Sequence, residues 1–480
     1  MPFGIIRNQL NAVKGIALLP AVIAGNACAP QVRQERPNII YILTDQQNAS
    51  MMSCAGNSWL QTPAMDYIAE HGVRFTRAYT TNPVSAPARV SMMTGRFAGY
   101  FQDNRGNRVR ENDGAMKITA ISEEVRKTNL ASAMQEAGYD LFFGGKQHLP
   151  GVLSPEGLGF DVFSRNERDE LAESAAQYIK KEHEKPYFMI VSLINPHDIC
   201  YMAIRDFAET EEEMGIIING KTEVATLDAA LKIPDGISRD EFFSTYCPPL
   251  PPNYEPQVDE PQAIDRLINL RPFRVLAREN YTDEQWRMHR WAYCRLTEVV
   301  DRQIQVILDA LKESGQEKNT LIIFSSDHGD MDASHRLEHK TVLYEESANI
   351  PFMVMWKGKI RGGRVDSTHL VSNMLDLLPT VSDYAGKASY ADPRGKSLRP
   401  LLENKKTAWR KSLGVETEIG YMVVDENKRK YIKHDVVGTE EQIFDLKKDP
   451  YETMHFTNHP EYADVLDDLR KQYIEWFPDI

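Results

Sequence analysis

The residues best suited to chemistry lie in the stretch from Asn82 to Arg96, NPVSAPARVSMMTGR. Pro87 suits the first turn of a helix, because its missing N–H would have no partner there. Ser85 is therefore predicted at or just before the helix start, where backbone N–H groups favour negative charge. Arg89 would lie on nearly the same face, one turn along. A hydroxyl and a guanidinium so placed could hold a tetrahedral oxyanion, although a Ser N-cap is the simpler interpretation of an isolated Ser-x-Pro.

Four more polar residues each follow a run of apolar, β-branched and aromatic residues. Such continuous runs are typical of strands buried on both faces of a parallel sheet. The runs are 38–44, 139–143, 187–194 and 321–324, and the polar residues after them are Asp45, Lys146, His197 and Asp327. In parallel sheets, ligands bind beyond the carboxyl ends of the strands. The sequence therefore predicts that four strands deliver these side chains to one active-site edge.

The elements between these runs read as helices, the clearest being 130–137, 167–184 and 283–314. Strands alternating with helices predict a mostly parallel sheet covered on both faces. Residues 200–280 have little clear period and a cluster of prolines, and we interpret them as loops over the site. The pattern changes near Gly386, where short strands and a last helix from about Glu461 to Trp476 predict a smaller antiparallel subdomain. We therefore divide the chain into domains at 36–385 and 386–480.

The combination of Ser85-x-Pro87-x-Arg89 with Met93-Thr94-Gly95-Arg96 resembles the signature of the type I sulfatases, in its serine form. The segments Thr62 to Phe75 and Ile443 to Pro450 also resemble parts of that family. The resemblance implies an α/β fold, an alkaline-phosphatase-like α/β/α sandwich with the smaller subdomain at its C-terminus. It also implies that a maturation enzyme oxidises Ser85 to formylglycine, and the serine form resembles substrates of the radical maturation system of anaerobic bacteria.

The resemblance maps the family's metal ligands onto Asp45, Gln46, Asp327 and His328, together with residue 85. Hard oxygen ligands suit calcium, with magnesium as the alternative. Many members have Asp at the second of these positions and Asn at the fourth, so Gln46 and His328 each alter a ligand. A lone Asp at a strand end is more often a turn or a cap. Two such ends, each followed by an amide or imidazole group, favour a metal site.

The remaining catalytic roles also come from the resemblance. Lys146 and His148 would flank the formylglycine, and Lys340 matches a second sulfate-binding lysine. One hydroxyl of hydrated formylglycine attacks sulfur and the other allows release, whereas a plain serine would keep the sulfate as an alkyl ester. His197, with Lys340, would protonate the leaving alcohol, and His148 would take the proton of the second hydroxyl. Arg89 and the two lysines would hold the sulfate charge.

Candidate substrate-binding residues are basic. Arg105, Arg108 and Arg110 follow the motif, and Arg271 and Arg274 form a second cluster. Arginine binds carboxylate and sulfate groups bidentately, which suits carboxylated or multiply sulfated sugars. A solvated basic loop is an equally simple interpretation.

Two further features point to glycans. His335 matches a recurrent family position. His328 and the Asn195-Pro196-His197 turn resemble members that act on glycosaminoglycans, uronate 2-O-sulfates among them. We therefore expect a carbohydrate O-sulfatase acting on heparan- or chondroitin-type oligosaccharides.

Composition bounds the class of protein. The chain has 480 residues, 42% of them hydrophobic, and a formal net charge of −13. That charge argues against non-specific binding to nucleic acid or anionic lipid, so a sulfated substrate must be attracted by a local cationic pocket. The five cysteines match no zinc spacing, and a disulfide among four of them stays open.

The N-terminus predicts export. A basic start with Arg7 and Lys14 precedes a short apolar run, 15–24, too short for a membrane span. Residues 25–28, Gly-Asn-Ala-Cys, resemble a loose lipoprotein cleavage box, imperfect at Gly25. We predict a signal peptide over 1–28 and a periplasmic or outer-membrane lipoprotein of a bacterium, with plain cleavage and no lipid on Cys28 as the alternative.

Three alternatives remain open. An unmodified Ser85 would leave a non-catalytic binder of sulfated glycans, although such a binder would not need His148 or His197. A phosphomonoesterase or phosphonate hydrolase of the same superfamily would share the metal edge, and the complete motif from Ser85 to Arg96 favours sulfate over it. Finally, Ser85 could stand in place of a native Cys, which would not change the assignment.

Overall fold

The computed structural model of the protein describes residues 36–387 and 392–478. The predicted signal peptide, 1–28, and Cys28 lie outside the described residues. No helix in the described part of the chain combines the length and apolar character needed to cross a bilayer.

Fourteen strands and eighteen α-helices occupy the described residues. The strands are β1 Asn38–Asp45, β2 Gly72–Phe75, β3 Ala78–Tyr79, β4 Asp140–Gly145, β5 Asp161–Ser164, β6 Tyr187–Pro196, β7 Thr320–Ser326, β8 Phe352–Met355, β9 Arg364–Asp366, β10 Val371–Ser372, β11 Ser412–Thr417, β12 Gly420–Asp425, β13 Arg429–His434 and β14 Glu440–Asp445. The helices are α1 Pro63–His71, α2 Ser85–Thr94, α3 Asn112–Met116, α4 Glu123–Thr128, α5 Leu130–Glu136, α6 Pro155–Leu158, α7 Asp169–Ile179, α8 Tyr201–Phe207, α9 Glu211–Asn219, α10 Lys221–Ala230, α11 Arg239–Glu241, α12 Gln262–Asn269, α13 Pro272–Asn280, α14 Asp283–Glu313, α15 Glu345–Ala348, α16 Asn373–Tyr384, α17 Arg399–Leu402 and α18 Ala463–Trp476.

The main sheet has eight strands in the order β5-β4-β6-β1-β7-β8-β2-β9. The five strands from β5 to β7 are mutually parallel, and β8 runs antiparallel to both of its neighbours. This is the mostly parallel sheet that the alternating pattern predicts. Its parallel half contains all four strands that carry the predicted site residues.

Strand β1 shows how the sheet is covered on both faces. All eight of its residues are buried. Ile39, Tyr41 and Leu43 pack in the core that contains α2, α5 and α16, whereas Ile40 and Ile42 pack in the core that contains α1, α7 and α14. The two faces alternate because side chains point to opposite sides of a strand with a period of two. The helices therefore form two outer layers around the sheet.

The C-terminal part contains an antiparallel sheet, β11-β12-β13-β14, with α18 packed on it. This confirms the smaller antiparallel subdomain, while the boundary at residue 386 stays a prediction. The sheet also reaches the signature motif, because the Glu416 N–H donates to the Thr81 carbonyl over 3.0 Å. Thr417 donates its hydroxyl to the Thr341 carbonyl over 2.7 Å, beside Lys340.

The interpretation of 200–280 as loops is wrong. Six helices, α8 to α13, lie in this span, and the longest irregular parts are 231–238 and the proline-rich stretch 247–261. None of these helices exceeds ten residues, so each shows its apolar period only about twice. The sequence did contain one signal for the start of a helix, because Thr210 and Glu213 have the spacing of the capping box that they form at α9.

The sequence left open a disulfide among four cysteines, and the described residues contain none. The four cysteines within the described residues, Cys54, Cys200, Cys247 and Cys294, are free thiols.

Candidate active site

The four predicted strand-end residues meet at one edge of the sheet. Asp45 is the last residue of β1, and Lys146, His197 and Asp327 directly follow β4, β6 and β7. These four strands are consecutive in the sheet and parallel, so their carboxyl ends point the same way. The Nζ atom of Lys146 lies 2.7 Å from Oδ2 of Asp45. The site is thus built by the topology that the sequence predicts.

Ser85 is the first residue of α2, and Val84 occupies the N-cap position. The Ser85 hydroxyl does not cap the helix. It lies 2.9 Å from Nε2 of His328 and 3.3 and 3.4 Å from the two carboxylate oxygens of Asp45. Ser85 is buried, with 2% of its surface exposed. Its oxygen therefore faces the carboxylate and imidazole cluster.

Arg89 lies one turn further along α2 and is fully buried. Its Nε donates to Asp327 over 2.9 Å and its Nη2 donates to Asp45 over 3.0 Å. Its Nη1 donates to the Lys146 carbonyl and the Ser192 hydroxyl. All three guanidinium nitrogens are thus occupied by the ends of β1, β4, β6 and β7. Arg89 therefore holds the two carboxylates in place.

Asp45, Asp327 and His328 each offer a ligand atom, and these atoms lie within 4.8 Å of one another. Nδ1 of His328 lies 2.9 Å from the Gly329 carbonyl, which can only accept, so Nδ1 carries the proton and Nε2 presents its lone pair to the cluster. Two carboxylates and one imidazole, with the Ser85 oxygen beside them, suit a hard divalent cation. These residues therefore fit a metal ion.

The charges around this cluster shift the pKa values of Asp45 and Asp327 in opposite directions. Burial alone would raise the pKa of Asp45, but Lys146, His197 and Arg89 outweigh it and hold that pKa well below its usual range. Burial, and then the adjacent Asp45 charge, raises the pKa of Asp327 to about 6. Two carboxylates sharing one site repel each other, and a cation between them relieves that repulsion.

Gln46 adopts a left-handed backbone conformation, with φ of 69°. Its amide Nε2 donates to Asp330 over 2.6 Å, which fixes the direction of the amide, because a carboxylate can only accept. Its Oε1 accepts from Lys340 Nζ over 2.7 Å and from the Cys200 thiol over 2.9 Å. The side-chain oxygen of Gln46 thus binds Lys340 and Cys200, while its backbone N–H donates to Asp327 over 3.2 Å.

Two histidines lie beside the lysines, and each has a buried Nδ1 without a hydrogen-bond partner among the described residues. Burial, and after it the charge of Lys146, lowers the pKa of His148 to about 3. Burial and the charges of Lys146 and Lys340 hold the pKa of His197 well below its usual range. Both imidazoles are therefore neutral at pH 7.

Comparison with known proteins identifies this arrangement. The family model for sulfatases matches residues 37–169 and 164–387, and the model for the C-terminal part of N-sulphoglucosamine sulphohydrolase matches 333–477. The chain belongs to the sulfatase family. It is therefore a sulfuric ester hydrolase, and the predicted alkaline-phosphatase-like sulfatase fold is confirmed.

Individual relatives agree with the family models. This sulfatase is 28% identical to a Delta 4,5-hexuronate-2-O-sulfatase of Bacteroides thetaiotaomicron, over 91% of this chain and 88% of the relative. It is 26% identical to an N-acetylglucosamine-6-O-sulfatase of the same species, over 96% and 92% of the two chains. Among solved structures, a 2-O GAG sulfatase matches with a TM-score of 0.75 and 25% identity, covering 93% of each chain.

The structure places the predicted substrate-binding residues of the sulfatase in different surroundings. Arg105 lies on an exposed turn closed by Asp103. Arg108 lines a cavity of about 530 Å³ together with Glu416. His335 is buried against the ring of Tyr344, with 4.7 Å between the ring centroids. Their roles in substrate binding stay predictions.

Sequence reasoning missed three residues that support the site. Asp330 orients Gln46, Ser192 accepts from Arg89, and Cys200 donates to Gln46. Ser192 belongs to β6, so its contact with Arg89 gave no sequence signal. Asp330 lies three residues after Asp327 in the segment Asp-His-Gly-Asp, and this second carboxylate was the available signal.

Proposed function

We propose that this sulfatase removes O-sulfate from carbohydrates, namely heparan- or chondroitin-type oligosaccharides and among them uronate 2-O-sulfates, after oxidation of Ser85 to formylglycine. The observation that carries the proposal is the direction of the Ser85 hydroxyl. It faces His328 and Asp45 at the sheet edge, although a serine at a helix start usually caps the helix. A residue in that position can present an oxygen nucleophile to a metal-supported sulfate.

Formylglycine, once hydrated beside a bound divalent cation, supplies an activated hydroxyl and a second hydroxyl that allows sulfate release. The chain's own groups arrange the substrate around it. Lys146 and Lys340 lie on either side of the Asp45–Gln46 turn and provide positive charge for the sulfate oxygens. Calcium is the proposed ion, with magnesium as the alternative, because Asp45, Asp327 and the oxygen of residue 85 offer hard oxygen ligands. Gln46 stays a predicted ligand, although Lys340 and the Cys200 thiol both donate to its side-chain oxygen.

His197 is the proposed acid for the leaving alcohol, and His148 the proposed base. Burial, and after it the charges of Lys146 and Lys340, hold the pKa of His197 well below its usual range, and a sulfate ester bound between the two lysines would offset their charges and so favour protonation. Burial and the Lys146 charge likewise lower the pKa of His148, so its imidazole is neutral at pH 7, and the same bound sulfate would raise its basicity by offsetting the lysine charge.

The carbohydrate assignment is supported by the relatives. The similar hexuronate-2-O-sulfatase and the 2-O GAG sulfatase structure each cover about nine-tenths of this chain. The N-acetylglucosamine-6-O-sulfatase extends the likeness to a second sugar sulfate. These names support a sugar sulfate as the substrate.

The proposal includes export and maturation. The basic-apolar-small start over 1–28 supports a signal peptide, with a lipid on Cys28 or plain cleavage, and hence a periplasmic or outer-membrane location. Formylglycine formation requires a maturation enzyme that accepts serine. Fractionation of the native host tests the location, and full-length cytoplasmic protein that retains Met1 would contradict it.

The deciding experiment compares protein expressed with and without a serine-accepting maturation enzyme. Coexpression should give a Ser85 peptide lighter by two hydrogens and reactive toward hydrazides, and activity on sulfated disaccharides. Without maturation, or as Ser85→Ala, the protein should be folded, bind metal and be inactive. Ser85→Cys should recover activity in hosts that modify only cysteine.

Two outcomes would overturn the proposal. Repeated turnover by unconverted Ser85 protein would require hydrolysis by a metal-activated water. Activity confined to aryl sulfates, choline sulfate or phosphonate monoesters would remove the carbohydrate assignment.

A further inference from the structure

Arg274 lies on α13, next to the segment that carries Lys340. Its Nε is 3.8 Å from a carboxylate oxygen of Glu338, and Arg274 lines the same small cavity as Lys340. The ring of His339 packs on Phe273, the neighbour of Arg274, with 5.5 Å between centroids. The guanidinium is therefore held against residues 338–340, at the border of the active site.

The guanidinium of Arg274 has few partners for a group that is only 20% exposed. Its Nε makes no hydrogen bond within the described part of the chain, and Nη1 makes one long bond, 3.3 Å, to the Leu267 carbonyl. Glu338 also pairs with His339, so its carboxylate is shared between His339 and Arg274. Burial lowers the pKa of Arg274, against the attraction of Glu418. An arginine short of partners is suited to bind an anion.

The position of Arg274 relates it to the leaving group. Helix α13 packs against α8, which directly follows the turn that begins at His197. Nε2 of His339 lies 2.9 Å from the carbonyl of Cys200, the last residue of that turn. His197 and Lys340 are the proposed partners of the leaving alcohol, so the sugar must extend on this side of the sulfate. A cation at the position of Arg274 would therefore contact substituents of the sugar.

We infer that Arg274 is a specificity-determining residue that binds a second anionic substituent of the sugar, either a uronate carboxylate or another sulfate. This inference rests on the proposed function and deepens it. The planar fork of arginine can bind either group through two parallel hydrogen bonds. The chemistry is shared, and the substrates below distinguish the two sources.

Arg271 provides the contrast. The sequence groups it with Arg274, but its Nη1 pairs with Glu212 over 2.6 Å and 35% of its side chain is exposed. It precedes α13, and Glu212 lies on α9. Because Glu212 occupies the guanidinium of Arg271, the structure does not support the substrate-binding role that the sequence suggested for Arg271. Arg271→Gln removes the same charge from the same segment and serves as the matched control.

The test uses matured protein and three substrates: a sulfated uronate-containing disaccharide with one sulfate, an N,O-disulfated hexosamine without a carboxylate, and a monosulfated neutral hexose. Arg274→Gln should raise KM about tenfold to a hundredfold for whichever anionic substrate uses Arg274, and leave the neutral hexose unchanged. A loss on the uronate assigns a carboxylate, and a loss on the hexosamine assigns a sulfate. Arg274→Lys should recover part of the loss, and Arg271→Gln should behave as wild type.

Equal losses on all three substrates, or none, would overturn the inference, since a structural role would not depend on the second anion. If matured wild-type protein acts on none of them, the proposed function fails. The inference is then decided by calorimetric titration of unconverted protein with the same three sugars. Weaker binding of an anionic sugar to Arg274→Gln alone would support it, and unchanged dissociation constants would refute it.

Discussion

Nε of Arg89 donates to Oδ2 of Asp327 over 2.9 Å, and this contact is made entirely in the protein interior. The same guanidinium also binds Asp45, so one cation neutralises carboxylates from two strands. A metal ion would lie against the other side of these carboxylates, near His328 and Ser85. The arginine of the signature motif is thus a fixed counter-charge for the metal site.

Replacing this counter-charge should destabilise the fold. Arg89→Gln leaves two buried carboxylates without their partner, which typically costs about 3–5 kcal/mol of unfolding free energy. Urea unfolding measures the loss. Arg165→Gln is the control, because its partner Glu156 is at the surface and 74% of the arginine side chain is exposed. That change should stay within about 0.5 kcal/mol. Similar losses for both variants would show that the buried pairs add no special stability.

Calcium, the proposed ion, should stabilise the unconverted protein by mass action, because Asp45, Asp327 and His328 come together only in the folded chain. An excess of a hundredfold over the dissociation constant gives about 2.7 kcal/mol, visible as a rise in melting temperature. His328→Ala should lose most of this rise. His369→Ala, a change at a partly exposed histidine paired with Asp366, should keep it.

The comparison of ions completes that measurement. A larger rise with magnesium than with calcium would reverse the proposed choice of metal. A rise that survives in His328→Ala and in Asp327→Asn would place the ion elsewhere.

Glu416 should make stability depend on pH. Burial raises the pKa of its carboxyl from 4.5 to about 7, and the Gly99 N–H and nearby arginines only partly oppose this. The folded state therefore binds the proton more tightly than the unfolded chain. The associated stability is complete below pH 4.5 and is lost as pH rises through about 7, an effect of about 3 kcal/mol.

Glu416→Gln removes this titration, so the fall in unfolding free energy between pH 4.5 and pH 8 should shrink by about that amount. The amide of the substituted side chain would keep an oxygen for the Gly99 N–H, which limits other damage. Glu124→Gln, at a carboxylate that is 65% exposed, should leave the pH profile of the wild type unchanged. An unchanged slope in the Glu416 variant would mean that this carboxyl is already ionised in the folded state at low pH.

The sequence predicted the strand-end residues because their position follows from topology. Asp45, Lys146, His197 and Asp327 each end a continuous apolar run, and parallel strands bring such ends together whatever their side chains do. The signature motif predicted that Ser85 and Arg89 lie on one helix, which the structure shows to be α2. These predictions needed only local sequence patterns and the rule that parallel strands end at the same edge of a sheet.

The direction of each side chain could not be predicted in this way. Arg89 binds carboxylates 44 and 238 residues away in sequence, which the motif did not indicate, while its predicted role toward sulfate stays a prediction. Gln46 is fixed by Asp330, 284 residues further along. Such contacts depend on which elements become neighbours and on how space is filled between them, and neither is encoded in a local period.

The end of β4 supplies a last prediction, because Gly145 precedes Lys146 at a close approach of two strands. Its φ is 91°, and a Cβ there would lie 2.1 Å from the carbonyl oxygen of Ser192, which also accepts the Lys146 N–H. Gly145→Ala should therefore be strained twice, by its left-handed conformation and by collision with β6.

Gly56 is the matched control, since its φ is 98° and nothing lies within 4 Å of its Cβ position. Gly56→Ala should cost about 1–2 kcal/mol from conformation alone. Gly145→Ala should cost about 1–3 kcal/mol more, and it should lower kcat because Lys146 moves away from Asp45. Equal losses of stability in urea unfolding, with full activity in both matured variants, would show that β4 and β6 can separate there without disturbing the site.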